Sequence, residues 1–245
     1  ASAAPSLLRR LAELNKSEKG DNEAAAHFYQ LSLEQDPSHA ATRQALVELL
    51  EGDGRWREMA VALSEGATYE TEPEARASAW RHAAQVYAHK LQDHAEATQA
   101  LRAALEHAPS DERTSLEAAL CAELLAAPQT VTEGLETLKA HLNASDPGPA
   151  FLETLRNFLS NQEPLLPPPR DAPSWSGAVL EACSLYETLI DEPTGEDLLA
   201  LAAARCRATI DPEPRVALLC DYAAIQLERD AAESAFRTYA EAVRL

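Results

Sequence analysis

Apolar residues recur along this chain at spacings of three and four with polar residues between them, the signature of helices that bury one face. The recurrence breaks at proline and at short stretches rich in Gly or Asp. Taken segment by segment, this period predicts thirteen helices, over approximately 6–17, 22–35, 38–51, 55–69, 73–91, 93–107, 111–126, 129–143, 148–161, 174–190, 195–209, 213–228 and 231–245, and no strand. All fifteen prolines fall between these segments or in a first turn. Inside a helix each would cost roughly 3 kcal/mol. Connections such as Lys19-Gly20-Asp21 and Gly52-Asp53-Gly54 are short enough to force consecutive helices into antiparallel hairpins.

The pattern also repeats over a longer distance. Adding 34 to Gly20, Ala25, Tyr29 and Ser32 gives Gly54, Met59, Leu63 and Gly66, a glycine turn followed by a small or apolar stripe on the next helix. A further 38 carries the last three to Ala97, Leu101 and Ala104. Another 103 carries Ala97 and Pro109 to Ala200 and Pro212, and 35 more carries Ala200 to Ala235 and Ala204 to Tyr239. A fixed period of this size implies stacked units that share one continuous core.

These residues resemble the tetratricopeptide repeat, a helix-turn-helix with the pattern W-x2-L-G-x2-Y, then A-x3-F, then P. The best copy is the third, with Trp80, Ala83, Ala84 and Tyr87, then Ala97, Leu101, Ala104 and Pro109; Ala stands for both Leu and Gly of the pattern. The first copy has Leu8, Leu11, Ala12 and Asn15, then Ala25, Tyr29, Ser32 and Pro37. The second has Leu46, Val47 and Leu50, then Trp56, Met59, Leu63 and Gly66. The final copy has Leu219, Tyr222 and Ala223, then Ala235, Tyr239 and Ala242. The fourth, over 111–143, is vague; its only small residue at the second-helix crossing is Gly134, and Arg207 stands farther on where Ala is expected. The spacing has a physical basis, since small residues let the helices of a hairpin approach closely while large partners fill the gap to the next hairpin. The resemblance implies an all-α, right-handed α-α superhelix, a solenoid of about thirteen helices. The Ala-rich, Arg-over-Lys composition points to a bacterial protein.

Between Glu163 and Pro173 the chain reads EPLLPPPRDAP, a stretch whose consecutive prolines favour extended backbone. It either links two arrays or replaces the second helix of a degenerate fifth repeat; the 103-residue offset favours replacement. The expected organisation is an array of four repeats plus one lone helix over 1–161, a proline-rich irregular segment over 162–173, and two further repeats over 174–245 that continue the same solenoid. No polar capping helix is visible at the end, which suggests a fragment of a longer protein or a terminal face covered by another chain.

Charge narrows the partners. Lys and Arg number 21 against 40 Asp and Glu, a formal net charge of −19, which repels nucleic-acid phosphates and anionic lipid. Among 245 residues only 5% are aromatic and eight are Gly, which counts against barrels, sandwiches and glycine-rich nucleotide folds. No run approaches the ~20 apolar residues of a membrane span. Cys121, Cys183, Cys206 and Cys220 form no CxxC pair and sit among apolar helical residues, the context of buried free thiols. A reducing cytoplasm fits best; a periplasmic location after removal of a leader is the alternative.

Catalytic patterns are missing from the sequence. There is no phosphate-binding glycine loop, no nucleophile elbow and no HExxH; His89 and His94 lie across a helix end rather than on one face. Asp111, Glu112, Glu196 and Asp197 fall in first turns, where the helix dipole accounts for them. Trp56 and Trp80 read as packing residues, while Trp175 is harder to place. The chain is therefore expected not to be an enzyme, with no metal and no cofactor.

By resemblance, the first helix of each hairpin lines a concave groove. The residues that would face it are Arg9, Glu13 and Lys16, then Gln44, Glu48 and Glu51, then Arg81, Gln85 and His89. The expected function is a non-catalytic scaffold that binds a protein or peptide there, with a bias towards basic peptides. Two alternatives stay open: a regulatory or assembly segment of a larger multidomain protein, including an enzyme, or a module that self-associates through its uncapped ends.

Overall fold

The computed structural model describes residues 3–142, 149–162, 173–190 and 192–245, and among them all regular structure is helical. The α-helices are α1 (Ala3–Leu14), α2 (Asn22–Gln35), α3 (Ala40–Gly52), α4 (Trp56–Tyr69), α5 (Pro73–Val86), α6 (His94–His107), α7 (Ser110–Ala126), α8 (Val131–Leu142), α9 (Pro149–Ser160), α10 (Pro173–Leu189), α11 (Gly195–Ala208), α12 (Pro212–Glu228) and α13 (Ala232–Arg244). Each expected helix is present, with ends displaced by a few residues. The two helices expected over 6–17 and 73–91 finish in π-helical turns, Asn15–Lys19 and Tyr87–Leu91.

Four connections share one turn device. Gly20, Gly54, Gln92 and Asp230 all adopt positive φ, at 64°, 69°, 53° and 57°. Beyond each of them a backbone N–H reaches back to a carbonyl of the preceding helix: Asp21 to Asn15 (3.0 Å), Arg55 to Leu50 (2.9 Å), Asp93 to Tyr87 (2.9 Å) and Ala231 to Gln226 (3.0 Å). Closure of this kind satisfies end carbonyls and reverses the chain within a few residues. Asp21 and Asp93 then cap the next helix, accepting from the N–H groups of Ala24 (3.0 Å) and Glu96 (3.3 Å).

The chain divides into two compact units, Ala1–Leu120 and Cys121–Leu245, with the division inside α7. In the first unit each of α2 to α5 packs against the helix before it and the helix after it. The core alternates small and large residues. Ala12, Ala25, Ala26, Ala60, Ala83, Ala97 and Ala104 are fully buried, and Tyr29, Leu46, Leu50, Met59, Leu63, Tyr87 and Leu101 fill the spaces between. Trp56 and Trp80 are half-buried against this core. Ser32 is also fully buried, and its hydroxyl donates to the Pro5 carbonyl at 3.1 Å. Leu11, expected to pack, is 43% exposed, because the buried side runs through Pro5 and Ala12 of α1 and on to Asn15 of the π-helical turn.

In the second unit α12 packs against α11 and α13, while α10 packs against α8, α9 and α11. Like α10, α11 also packs against α9. Of the segment expected over 162–173, only Gln162 and Pro173 belong to the described residues, and Pro173 opens α10. Gly134 marks the vague fourth copy: a Cβ there would stand 3.0 Å from both Leu124 Cβ and the Leu125 backbone nitrogen of α7. On α13, Ala235, Thr238 and Ala242 are buried, but Tyr239, Phe236 and Val243 are exposed.

One polar cluster in this unit was not foreseen. Asp197, assigned to the helix dipole, is buried and receives hydrogen bonds from the Tyr186 hydroxyl (2.5 Å), the Thr194 hydroxyl (2.7 Å) and the Thr194 N–H (2.8 Å), with Arg156 Nε 3.0 Å away. Burial works to raise the Asp197 pKa, yet these hydrogen bonds and the Arg156 charge together hold it below the usual carboxylate value. Burial, and then the bond to Asp197, raise the Tyr186 phenol. Three helices, α9, α10 and α11, are tied by one carboxylate.

Candidate functional site

All nine residues expected to line a groove lie in the first unit. Glu13, Lys16, Gln44, Glu48, Glu51, Gln85 and His89 are exposed; Arg9 and Arg81 are half-buried. Gln44 donates to Glu48 at 3.0 Å along α3. Glu13 on α1 and Glu48 on α3 both act on the Tyr29 hydroxyl, whose pKa rises through burial first and then through these two charges. The arginines behave differently. Arg81 pairs with Glu112 of α7 at 3.0 Å, and Arg9 approaches Asp36 at 3.7 Å. Each is engaged within the fold.

His89 lies in the π-helical turn and His94 opens α6, so the two do not share a helix face. Among the described residues no group of three or more His, Cys, Asp or Glu is placed to hold a metal ion, and no helix is long and apolar enough to cross a membrane. Cys121, Cys183 and Cys206 are buried and Cys220 is half-buried, all as free thiols. Burial pushes the Cys183 thiol up to about 11 and the Cys206 thiol up to about 12. Trp175 is buried, with the Arg207 guanidinium 5.5 Å from its ring centre, so the arginine that departs from the repeat pattern stacks on the tryptophan that the pattern left unplaced.

One concavity in the first unit was missed by the sequence reading. It encloses about 680 Å³ and is open on one side, between α2, α3 and α4. Its floor is built by Leu33, Leu46 and Ala62 together with Arg43, which is 9% exposed. Arg43 donates from Nη2 to the Pro37 carbonyl, pairs from Nη1 with Glu70 Oε1 at 3.2 Å and lies 5.9 Å from the centre of the Tyr69 ring. The arrangement depends on Gly66: a Cβ there would fall 2.2 Å from Arg43 Cδ and 2.5 Å from its Nε. The available signal was a glycine in the middle of a helix, where no turn calls for one.

No family model matches this chain, and no curated protein matches it. Solved structures do. The chain is similar to a TPR repeats protein (BF2334) from Bacteroides fragilis, at 12% identity over 98% of each chain with a TM-score of 0.43. It is also similar to BtubC (BKLC) from P. vanneervenii, at 12% identity over 97% of this chain and 90% of the other, with a TM-score of 0.36.

Proposed function

We propose that this chain is a non-catalytic scaffold that receives a peptide or protein partner on the first helices of its hairpins, through Arg9, Glu13, Lys16, Gln44, Glu48, Glu51, Arg81, Gln85 and His89. The observation that supports this reading is the exposure of polar side chains on α1, α3 and α5, among them Glu13, Gln44, Glu48, Glu51 and Gln85. In this reading the first helices present their polar side chains to the partner from a helical backbone. Binding groups held in place before a partner arrives lose little conformational entropy on association. The net charge of −19 favours a basic partner through faster, salt-sensitive association.

The test is affinity capture with the 1–245 chain, followed by calorimetry of the captured partner with Glu48→Ala, Gln85→Ala and the double variant. Both side chains are exposed, so helicity should stay unchanged while affinity falls by about ten-fold in the double variant. Unchanged affinity would remove the first-helix assignment. A second reading, self-association, rests on the exposed apolar side chains of α1 and α13, Leu7 at 62%, Phe236 at 73% and Val243 at 87%. Light scattering that gives the mass of one chain at every concentration would reject it.

A further inference from the structure

The groove between α2, α3 and α4 has three properties that together specify a ligand. First, its apolar surface is left uncovered. Val61 and Tyr69 of α4 are 42% and 50% exposed, and both line it above the apolar floor. Second, its cations are engaged. Arg43 is held by Pro37 and Glu70 inside the fold, and Arg57, whose side chain is 72% exposed, turns to Asp93 at 3.7 Å. Third, of its three carboxylates, Glu58 pairs with Arg55 at 2.5 Å, whereas Glu34 on α2 and Glu65 on α4 are exposed and have no ion-pair partner among the described residues. Two unneutralised acids therefore stand on two different helices, with apolar side chains lining the same groove.

We infer that this groove docks a peptide segment in which an apolar side chain is flanked by Lys or Arg, the apolar group seating against Val61, Leu33 and Tyr69 and the cations meeting Glu34 and Glu65. A volume of about 680 Å³ lies within the ~300–1,000 Å³ range of pockets that hold small ligands. Acids on two different helices, with apolar side chains lining the same groove, match a segment that presents two cations and an apolar side chain together. The site is distinct from the polar side chains on the first helices, and neither assignment depends on the other.

The probe is a fluorescein-labelled peptide that alternates lysine and leucine, KLKLGKLK, titrated by anisotropy against the 1–245 chain. Peptides with glutamate in place of lysine or serine in place of leucine, and spermidine as competitor, complete the set. KLKLGKLK is expected to bind saturably. Val61→Glu, and the pair Glu34→Gln with Glu65→Gln, should each weaken it by about ten-fold, while Glu13→Gln with Glu48→Gln changes it by less than about two-fold. Circular dichroism of each variant should retain the parent helicity, since all the substituted side chains are exposed.

Absence of saturable binding, or equal affinity in the groove variants, overturns the assignment. So does competition by spermidine as effective as that of the unlabelled peptide, because the apolar floor would then be idle. Loss of binding only in the Glu13 and Glu48 variants would move the peptide to the first helices. A two-chain mass that Val61→Glu returns to one chain would give the groove to a second copy instead.

Discussion

Arg43 of α3 occupies the volume that a side chain at position 66 of α4 would need. Its Cδ stands 2.2 Å from the place of the missing Cβ, and its charge is held by Pro37 and Glu70 behind that point. The glycine and the arginine form one packing unit, and a methyl group at 66 can be admitted only by moving a buried guanidinium off its partners.

Substitution at the two positions should therefore be strongly coupled. Alanine is favoured over glycine in a helix by about 1 kcal/mol. With Arg43 present, Gly66→Ala should bring no gain, because displacement of the arginine loses buried hydrogen bonds worth about 1–3 kcal/mol. In an Arg43→Ala background the same substitution should stabilise. A double-mutant cycle in urea measures this; equal effects in both backgrounds would show that Arg43 relaxes freely.

Gly134 is constrained by backbone rather than by a flexible side chain. The contact of 3.0 Å from its absent Cβ to the Leu125 nitrogen means that α7 and α8 must separate to admit alanine. Gly134→Ala should cost about 1–3 kcal/mol despite the gain in helix propensity. Thermal denaturation would detect the fall.

Asp197 should make the second unit sensitive to acid. Its folded pKa lies below the ordinary value near 3.9. Above about pH 5 both the folded and the unfolded carboxyl are ionised, and the stabilisation is fully present. As pH drops through the folded value, the unfolded chain takes up the proton first and the stabilisation disappears. Asp197→Asn should cost about 1–3 kcal/mol at pH 7, and the gap to the parent should narrow by pH 3 in urea titrations followed by circular dichroism. A gap independent of pH would mean that the Tyr186 and Thr194 contacts do not need the charge.

The thiols give a simple accessibility test. At pH 8 Cys183 and Cys206, with pKa values of about 11 and about 12, are almost wholly protonated as well as buried. An aromatic disulfide reagent should modify Cys220 first, and the three buried thiols only after urea is added. Rapid reaction of all four in the folded chain would contradict the packing of α10 and α11.

Periodicity determined much of this protein without tertiary information. A helix buries one face, so the spacing of Ala25, Tyr29 and Ser32, repeated at Met59, Leu63 and Gly66 and again at Ala97, Leu101 and Ala104, identified the core positions; all nine are buried. Proline, glycine and aspartate gave the helix ends, because their constraints act over a few residues. Gln92 and Asp230 were beyond such reading, since a non-glycine residue takes positive φ only when the surrounding turn demands it. The same holds for Asp197, which looked like any first-turn acid until Tyr186 and Arg156 were brought to it from other helices. The groove floored by Arg43 has the same origin. Whether a charged side chain is solvated or buried depends on which residue the next helix places opposite it, and that relation exists only once the helices have packed.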